Sequence, residues 1–387
     1  MDENPSVLHL LTTQAWGGLE MYVFDLVVKM TEVGIKCAVY CLPNTVIDQK
    51  FKEAGINTFP AFKHSKYNIL DIFRVIEIIK KENFQIIHAH TNVDVWRGSL
   101  ALTFDSRRKL IFNLYMGVVK KKDLIHQFIF KNISALVSTS EIINNEVKEK
   151  YPINNSKIKL IRYGRDIEDY VVNSSKREEI RKKYKAAQND IVIGTMCRID
   201  LQKGVKEFAE SYLQIPENDR KNLKYWIIGD PTILKKDESG KIIYEKEAEQ
   251  TNEYLINFIN KNNLSEKIIL IPFQADMISF LGSLDIFVLA SYNEMYSLAV
   301  LDAMLINLPV ISTDKGGTPE QLGFGERGFL VEPKSAKALA DQIFYCVNNL
   351  NETKEKAKMG FTWTRAQHNW KNVIQQYVDL YNEVYKK

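Results

Sequence analysis

The chain has 387 residues, 45% hydrophobic and 26% charged, which allows two or three domains with sizeable cores and argues against a disordered protein. Its formal net charge of +4 is too small to argue for nucleic acid, which is not expected as a partner. The excess lies in residues 1–170, with 23 Lys and Arg against 19 Asp and Glu, while the remainder balances at 29 of each.

Cys37, Cys41, Cys197 and Cys346 form no C-x-x-C pair, so reduced thiols in a cytoplasmic protein are expected. The first apolar run, Val7–Leu11, is too short for a signal peptide or a membrane span, and any membrane contact is expected to be peripheral. Short β-rich runs then begin near Val7, Ile35, Ile86, Leu110, Ala135 and Ile158, separated by helix-period segments such as Met21–Val33 and Leu70–Glu82. The polar stretch Asp169–Tyr184 reads as a linker feeding a short helix. A second series of runs begins near Ile191, Leu223, Lys267, Asp285, Pro309 and Gly328. Strands alternating with helices imply parallel sheets with right-handed crossovers. Two sheets of about six strands fit better than one, and the bimodal pattern disfavours an eightfold barrel. The expected domains are residues 1–170 and 171–365. A final aromatic-rich helix, about 366–387, could cover either and is expected to pack back on the first.

Chemistry gathers at the carboxyl ends of these runs. After Val7–Leu11, Gly17 and Gly18 open a helix, an arrangement that serves either a phosphate or a plain turn. After Ile191–Cys197 come Arg198 and Lys203, two cations able to converge on one diphosphate, Arg by its planar fork and Lys as a compact charge. After Asp285–Ala290 comes Glu294, and eight positions on, Asp302. Helical structure between them would project both carboxylates the same way. The run Leu308–Thr313 ends in Gly316 and Gly317 with Glu320 close behind. Open α/β sheets bind ligands at such strand ends.

Taken in order, these pieces resemble the retaining glycosyltransferases of the GT-B fold, the large family numbered four. The resemblance covers nearly the whole chain. It rests on G-G-x-E (Gly17, Gly18, Glu20), H-A-H (His88–His90), S-T-S-E around Ser140, Y-G-R-D around Gly164, C-R-I-D-L-Q-K-G (Cys197–Gly204), W-I-I-G-D around Gly229, and the block from Ser291 to Glu320. It implies an α/β protein of two Rossmann-like doubly wound domains facing across a cleft, the first for the acceptor and the second for a nucleotide-sugar donor.

The resemblance also assigns roles. Arg198 and Lys203 would neutralise the donor diphosphate, and Glu294 would bond hydroxyls of the transferred sugar. Backbone amides around Met295, Tyr296, Ser297 and Leu298 would meet phosphate oxygens, Asp302 would meet the ribose, and the segment around Phe273 would line the base pocket. Gly17 and Gly18 would approach the phosphate, with His90 and Tyr115 on the acceptor side. UDP is the expected nucleotide, with no cofactor and no metal required. Two departures stand out. Asp302 replaces the family's Glu, and Tyr115 stands where a His is common. A phenol titrating near pH 10 can donate a hydrogen bond but is not assigned as a general base.

The expected function is transfer of a sugar, with retention, to a glycan or lipid-linked acceptor in bacterial surface-polysaccharide or lipopolysaccharide synthesis. Competing readings are an epimerase or hydrolase on the same fold, or a catalytically silent scaffold for a partner enzyme. A dinucleotide oxidoreductase is disfavoured because no G-x-G-x-x-G follows a strand. Basic runs Arg107–Lys109 and Lys120–Lys122, with Ile125–Phe130, offer a surface for an anionic membrane or simply solvated loops.

Overall fold

A computed structural model describes residues 5–103, 105, 107–115, 117–236 and 242–386. The chain divides into two compact units, Met1–Arg165 with His368–Lys387, and Asp166–Gln367.

The first unit holds β1 (Val7–Leu10), β2 (Cys37–Cys41), β3 (Asn57–Pro60), β4 (Ile86–Ala89), β5 (Lys109–Asn113), β6 (Ile133–Ser138) and β7 (Ile158–Leu160). All pairings are parallel, in the order β3-β2-β1-β4-β5-β6-β7. The central strands are buried on both faces, as their continuous apolar sequences require. Seven strands stand where the sequence suggested six. The additional strand is β3, N-T-F-P, a half-exposed edge strand closed by a proline. At an edge, neither apolar content nor a full set of N–H donors is needed, so the usual strand signal is absent.

Helix Trp370–Lys386 belongs to this unit. Its Trp370 ring stacks on Tyr22 at 5.3 Å, and Gly164 lies so close that a Cβ there would be 2.2 Å from the indole. The helix is separate from Leu350–Gln367, which ends the second unit. His368 Nδ1 donates to the Tyr163 carbonyl at 2.7 Å across the break.

A buried ionic knot shapes the loop after β3. Arg97, 1% exposed, bridges Asp94 (2.8 Å) and Asp71 (3.5 Å) and donates to the Lys63 carbonyl (2.9 Å). The Thr12 hydroxyl, just past β1, donates to Asp94 at 2.7 Å, and Tyr40 donates to Asp71. Buried charges persist only with such partners.

The second unit holds β8 (Ile191–Met196), β9 (Leu223–Ile228), an antiparallel hairpin of β10 (Ile233–Lys236) and β11 (Ile242–Tyr244), then β12 (Ile268–Ile271), β13 (Ile286–Leu289), β14 (Val310–Thr313) and β15 (Phe329–Val331). Its parallel sheet runs β12-β9-β8-β13-β14-β15. Successive residues feed opposite faces: Ile193 and Tyr225 pack in one core with Phe208, while Val192 and Trp226 pack in the other with Phe287. Strand order reverses between β1 and β4 in the first sheet and between β8 and β13 in the second. Those switch points are where doubly wound sheets open a crevice at their carboxyl ends.

Candidate functional site

Two loops meet at the second switch point, one after β8 and one after β13. The first is held against the end of β9, with the Ile199 N–H donating to the Asp230 carbonyl at 2.9 Å. It closes in a single 3₁₀ turn, Leu201–Lys203, which Asp200 caps by accepting from Gln202 N–H at 2.7 Å. Gly204 then adopts φ +64°, and a Cβ there would lie 2.0 Å from the Ala290 carbonyl oxygen. Only glycine permits this approach. The Tyr292 N–H completes the join by donating to the Gln202 carbonyl at 2.8 Å.

This architecture delivers Lys203 Nζ to Glu294 Oε1 at 2.5 Å, with the side chains 22% and 15% exposed. Glu294 is fixed from its other side as well. Its backbone bridges to Gly316, and its carbonyl accepts the Gly317 N–H at 2.7 Å. Gly316 has φ +64°, and a Cβ there would fall 1.9 Å from the Glu294 oxygen. The acid after β13 and the glycine pair after β14 are therefore one construction. Arg198 is exposed on the β8 loop, and its guanidinium makes no ion pair among the described residues. The neighbouring Cys197 thiol is pushed up to about 11 by burial, against the pull of the nearby Lys203 cation. It is a poor nucleophile there.

Helix Leu298–Leu305 starts beside Glu294. The Ser297 hydroxyl caps it by accepting from Val300 N–H at 3.3 Å. Gln321 clamps the same residue from both ends, accepting from the Ser297 N–H at 2.8 Å and donating to its carbonyl at 2.9 Å. Tyr296 is buried, whereas Met295 and Leu298 are half-buried. Asp302 lies within that helix, 3% exposed, and accepts from the Tyr170 hydroxyl at 2.6 Å. Phe273, in the loop after β12, is 67% exposed. A separate concavity of about 1330 Å³ lies at the opposite, amino-terminal edge of this sheet, lined by residues including Arg177, Arg181 and Asp285. Arg177 and Arg181 both pair with Asp285.

In the first unit, the G-G-x-E segment forms a capping box. Glu20 accepts from the Gly17 N–H at 3.0 Å and from the Thr13 hydroxyl at 2.9 Å, so a carboxylate already faces the start of helix Gly18–Glu32. Near the first switch point, His9, His88 and His90 are fully buried together. His90 Nδ1 lies 3.2 Å from the Tyr115 hydroxyl, and His9 Nδ1 lies 3.0 Å from His90 Nε2. Burial holds all three rings well below the usual histidine range, His88 at about 4.

The model of glycosyl transferases group 1 matches residues 176–360, and that of glycosyltransferase family 4 matches residues 16–169. Together they cover every sheet strand except β1. The chain belongs to glycosyltransferase family four.

This glycosyltransferase is 25% identical, over 74% of either chain, to the capsular polysaccharide biosynthesis glycosyltransferase CapM of Staphylococcus aureus. It is 24% identical to the N,N'-diacetylbacillosaminyl-diphospho-undecaprenol α-1,3-N-acetylgalactosaminyltransferase of Campylobacter jejuni, covering 92% of this chain and 88% of that one. Anabaena Alr3699/HepE, solved with UDP, superposes with a TM-score of 0.84 at 18% identity, over 98% of this chain and all of that one. The fold is GT-B.

The candidate site thus brings Lys203 and Glu294 together, with Ser297 three residues beyond Glu294 at the start of the helix. Gln321 and Tyr170 were not anticipated. Gln321 gave no signal beyond its place after G-G-T-P-E, and Tyr170 lies 132 positions from the acid it meets. Of the basic runs, Arg107 and Arg108 pair with Asp105, and Arg108 also donates to the Phe84 and Ile79 carbonyls. They precede β5, whereas Lys120–Lys122 follow it, so the two runs lie toward opposite ends of a parallel sheet.

Proposed function

We propose that this glycosyltransferase moves a hexose-type sugar from a UDP-sugar to a hydroxyl of a lipid-linked or glycan acceptor, with retention of configuration, in bacterial surface-polysaccharide synthesis. The observation that carries this is the Lys203–Glu294 pair at the switch point of the second sheet. Without ligand, the ammonium and carboxylate neutralise each other. A bound diphosphate recruits the Lys203 ammonium, with Arg198 free to swing onto the same group, and Glu294 is released to accept sugar hydroxyls. As the bond to the departing phosphate stretches, negative charge grows on its oxygens and positive charge on the sugar. The two recruited cations and the amino end of helix Leu298–Leu305 oppose the first, and the Glu294 carboxylate opposes the second. The departing phosphate takes the acceptor proton on the same face, which gives retention without a protein base.

Phe273 stacks on or borders the base, and Asp302 reaches the ribose once Tyr170 yields or shares its hydrogen bond. Gly17 and Gly18 in the first unit remain candidates for phosphate contact. His90 and Tyr115 are assigned to the acceptor side of the reacting centre, where the Tyr115 hydroxyl can reach a sugar or phosphate oxygen. The UDP seen in Alr3699/HepE and the lipid-linked substrate named for the Campylobacter enzyme support donor and acceptor class. Metal independence is part of the proposal, and full activity in excess chelator tests it. The direct assay is UDP release from a panel of UDP-sugars, with anomer assignment of the product by NMR. Wild type releases UDP and the product keeps the donor's anomeric configuration; no cleavage of any sugar nucleotide sinks the proposal.

The acceptor class gives meaning to one surface of the first unit. Phe62, Tyr67, Leu70, Leu124 and Ile125 are all exposed, and Tyr67, His126 and the Lys66 ammonium lie 6.2, 5.5 and 5.3 Å from the Trp96 ring. Apolar tips interleaved with Lys66, Lys120 and Lys122 suit an anionic lipid surface, each cation adding about 1 kcal/mol. Flotation with vesicles containing phosphatidylglycerol is expected at low salt. Recovery only in the soluble fraction removes the membrane from the account.

A further inference from the structure

A chain of buried hydrogen bonds in the first unit runs from the carboxyl-terminal helix to Tyr115, and its donors and acceptors are assignable. It starts at Asn113, at the end of β5. Asn113 Oδ1 lies 2.8 Å from His88 Nε2, and an amide oxygen only accepts, so His88 carries its proton on Nε2. The neutral ring then offers a bare Nδ1, 2.8 Å from the Tyr381 hydroxyl, which donates to it. Asn113 Nδ2 donates to the Tyr377 hydroxyl at 2.5 Å and to the Tyr115 hydroxyl at 2.7 Å. In this orientation both Asn113 N–H groups and its oxygen are engaged; the flipped amide requires the opposite His88 tautomer, Nδ1–H, so the His88 tautomer decides between the two.

The Tyr115 oxygen has thus accepted one bond and faces His90 Nδ1 at 3.2 Å. Two proton arrangements complete the row. In one, Tyr115 donates to His90, His90 Nε2–H donates to His9 Nδ1, and His9 Nε2–H is a buried donor with no partner among the described residues. In the other, every bond reverses. His9 Nδ1–H donates to His90, His90 Nδ1–H donates to Tyr115, and the Tyr115 proton is left for a ligand. The second arrangement strands an acceptor instead of a donor, which is the less costly of the two. Burial keeps the three imidazoles neutral and the Tyr115 and Tyr381 phenols protonated, as the assignment needs.

We propose that Tyr381 is a positioning residue which, through His88 and Asn113, fixes the Tyr115 hydroxyl as a hydrogen-bond donor to a sugar or phosphate oxygen of the substrate at the carboxyl edge of the first sheet. Tyr115 is half-buried there, two residues past the end of β5, stacked between His90 and Tyr163. The helix that carries Tyr381 therefore acts on the reaction from a distance. The kinetic part of the proposal rests on the glycosyltransferase reading above.

Two arms test it on the full chain. Long-range proton–nitrogen correlation spectra of the ¹⁵N-histidine protein, assigned with single His→Gln variants, report each tautomer without any ligand. His88 is expected as the Nε2–H form in wild type and as a mixture in Tyr381→Phe. A wild-type Nδ1–H form, or no change in the variant, overturns the proposal. In the kinetic arm, the turnover of UDP release from the UDP-sugar that wild type cleaves fastest falls about tenfold in Tyr381→Phe, with donor KM within twofold. Tyr115→Phe shows a similar loss, and the double variant is no slower than Tyr115→Phe alone. Multiplied losses in the double variant, or a change confined to KM, overturn the proposal, because a merely structural defect is indifferent to Tyr115. Should Tyr381→Phe not fold, Asn113→Asp removes the donor to Tyr115 without changing shape and carries the same comparison. A wild-type chain that cleaves no UDP-sugar refutes the transferase reading, while the spectra still judge the network.

Discussion

Lys203 and Glu294 hold each other at 2.5 Å, and either one altered tells what the other is for. Lys203→Ala is expected to lower turnover about a hundredfold, the scale of one lost donor to a developing oxyanion. Mostly buried but still in contact with solvent, its side chains 22% and 15% exposed, the pair contributes about 1–2 kcal/mol to stability. The thermal midpoint should therefore fall by only a few degrees. A parallel collapse of midpoint and turnover would reduce the pair to a structural tie. Arg97 is the opposite case. It is fully buried between Asp71 and Asp94, and Arg97→Met leaves two carboxylates without their counterion. Urea unfolding should show a loss of about 3–5 kcal/mol. These two residues also mark what a sequence discloses. Lys203 and Glu294 are legible because each follows a recognisable strand at a fixed short distance. The Arg97 knot joins residues from five separate segments, and none carries a local sign of the others. Asp302 shows the same limit, since its partner Tyr170 lies in the polar stretch between the two sheets.

The elements that hold the site are loops pinned by glycine. Gly204 and Gly316 each carry a positive φ, and each lies within 2.0 Å of a carbonyl oxygen if given a Cβ. Gly204→Ala must push the Lys203 turn away from β13. The expected outcome is at least tenfold weaker UDP binding by calorimetry and a midpoint several degrees lower; unchanged affinity would show that the turn does not place the lysine. The elements themselves were mostly readable. All six strands of the second sheet coincide with apolar runs in the sequence, because strands covered on both faces must be apolar throughout. The edge strand β3 and the β10–β11 hairpin escaped notice for the converse reason, as neither is buried between layers. The break at His368–Asn369 was hidden because both flanking helices keep the helical period, and tertiary bonds stop the first: His368 to the Tyr163 carbonyl, and the backbone of His368–Trp370 to Arg165.

At the scale of the molecule, twelve of the thirteen sheet strands and the family were legible, the family because its motifs recur in fixed order across both units. The histidine row of the first unit was legible only as H-A-H, since its other members come from β1, β5 and the terminal helix. It makes stability depend on pH. His88 titrates near 4 in the folded chain and near 6.5 when unfolded, so between those values the unfolded state binds more protons. Stability is therefore fully present above about pH 6.5 and declines as pH falls towards 4, by roughly 3 kcal/mol from His88 alone, with His9 and His90 acting in the same direction. Urea titrations from pH 7.5 to 4.5 should show this slope, and His88→Gln should flatten it.

The central claim, that the second unit grips a nucleoside diphosphate through Lys203 and its neighbour Arg198, is most directly tested by isothermal titration of UDP into wild type, Lys203→Ala and Arg198→Ala. One site per chain is predicted, at least tenfold weaker in either variant. Wild type that binds no UDP, or variants that bind it as tightly as wild type, would contradict the account.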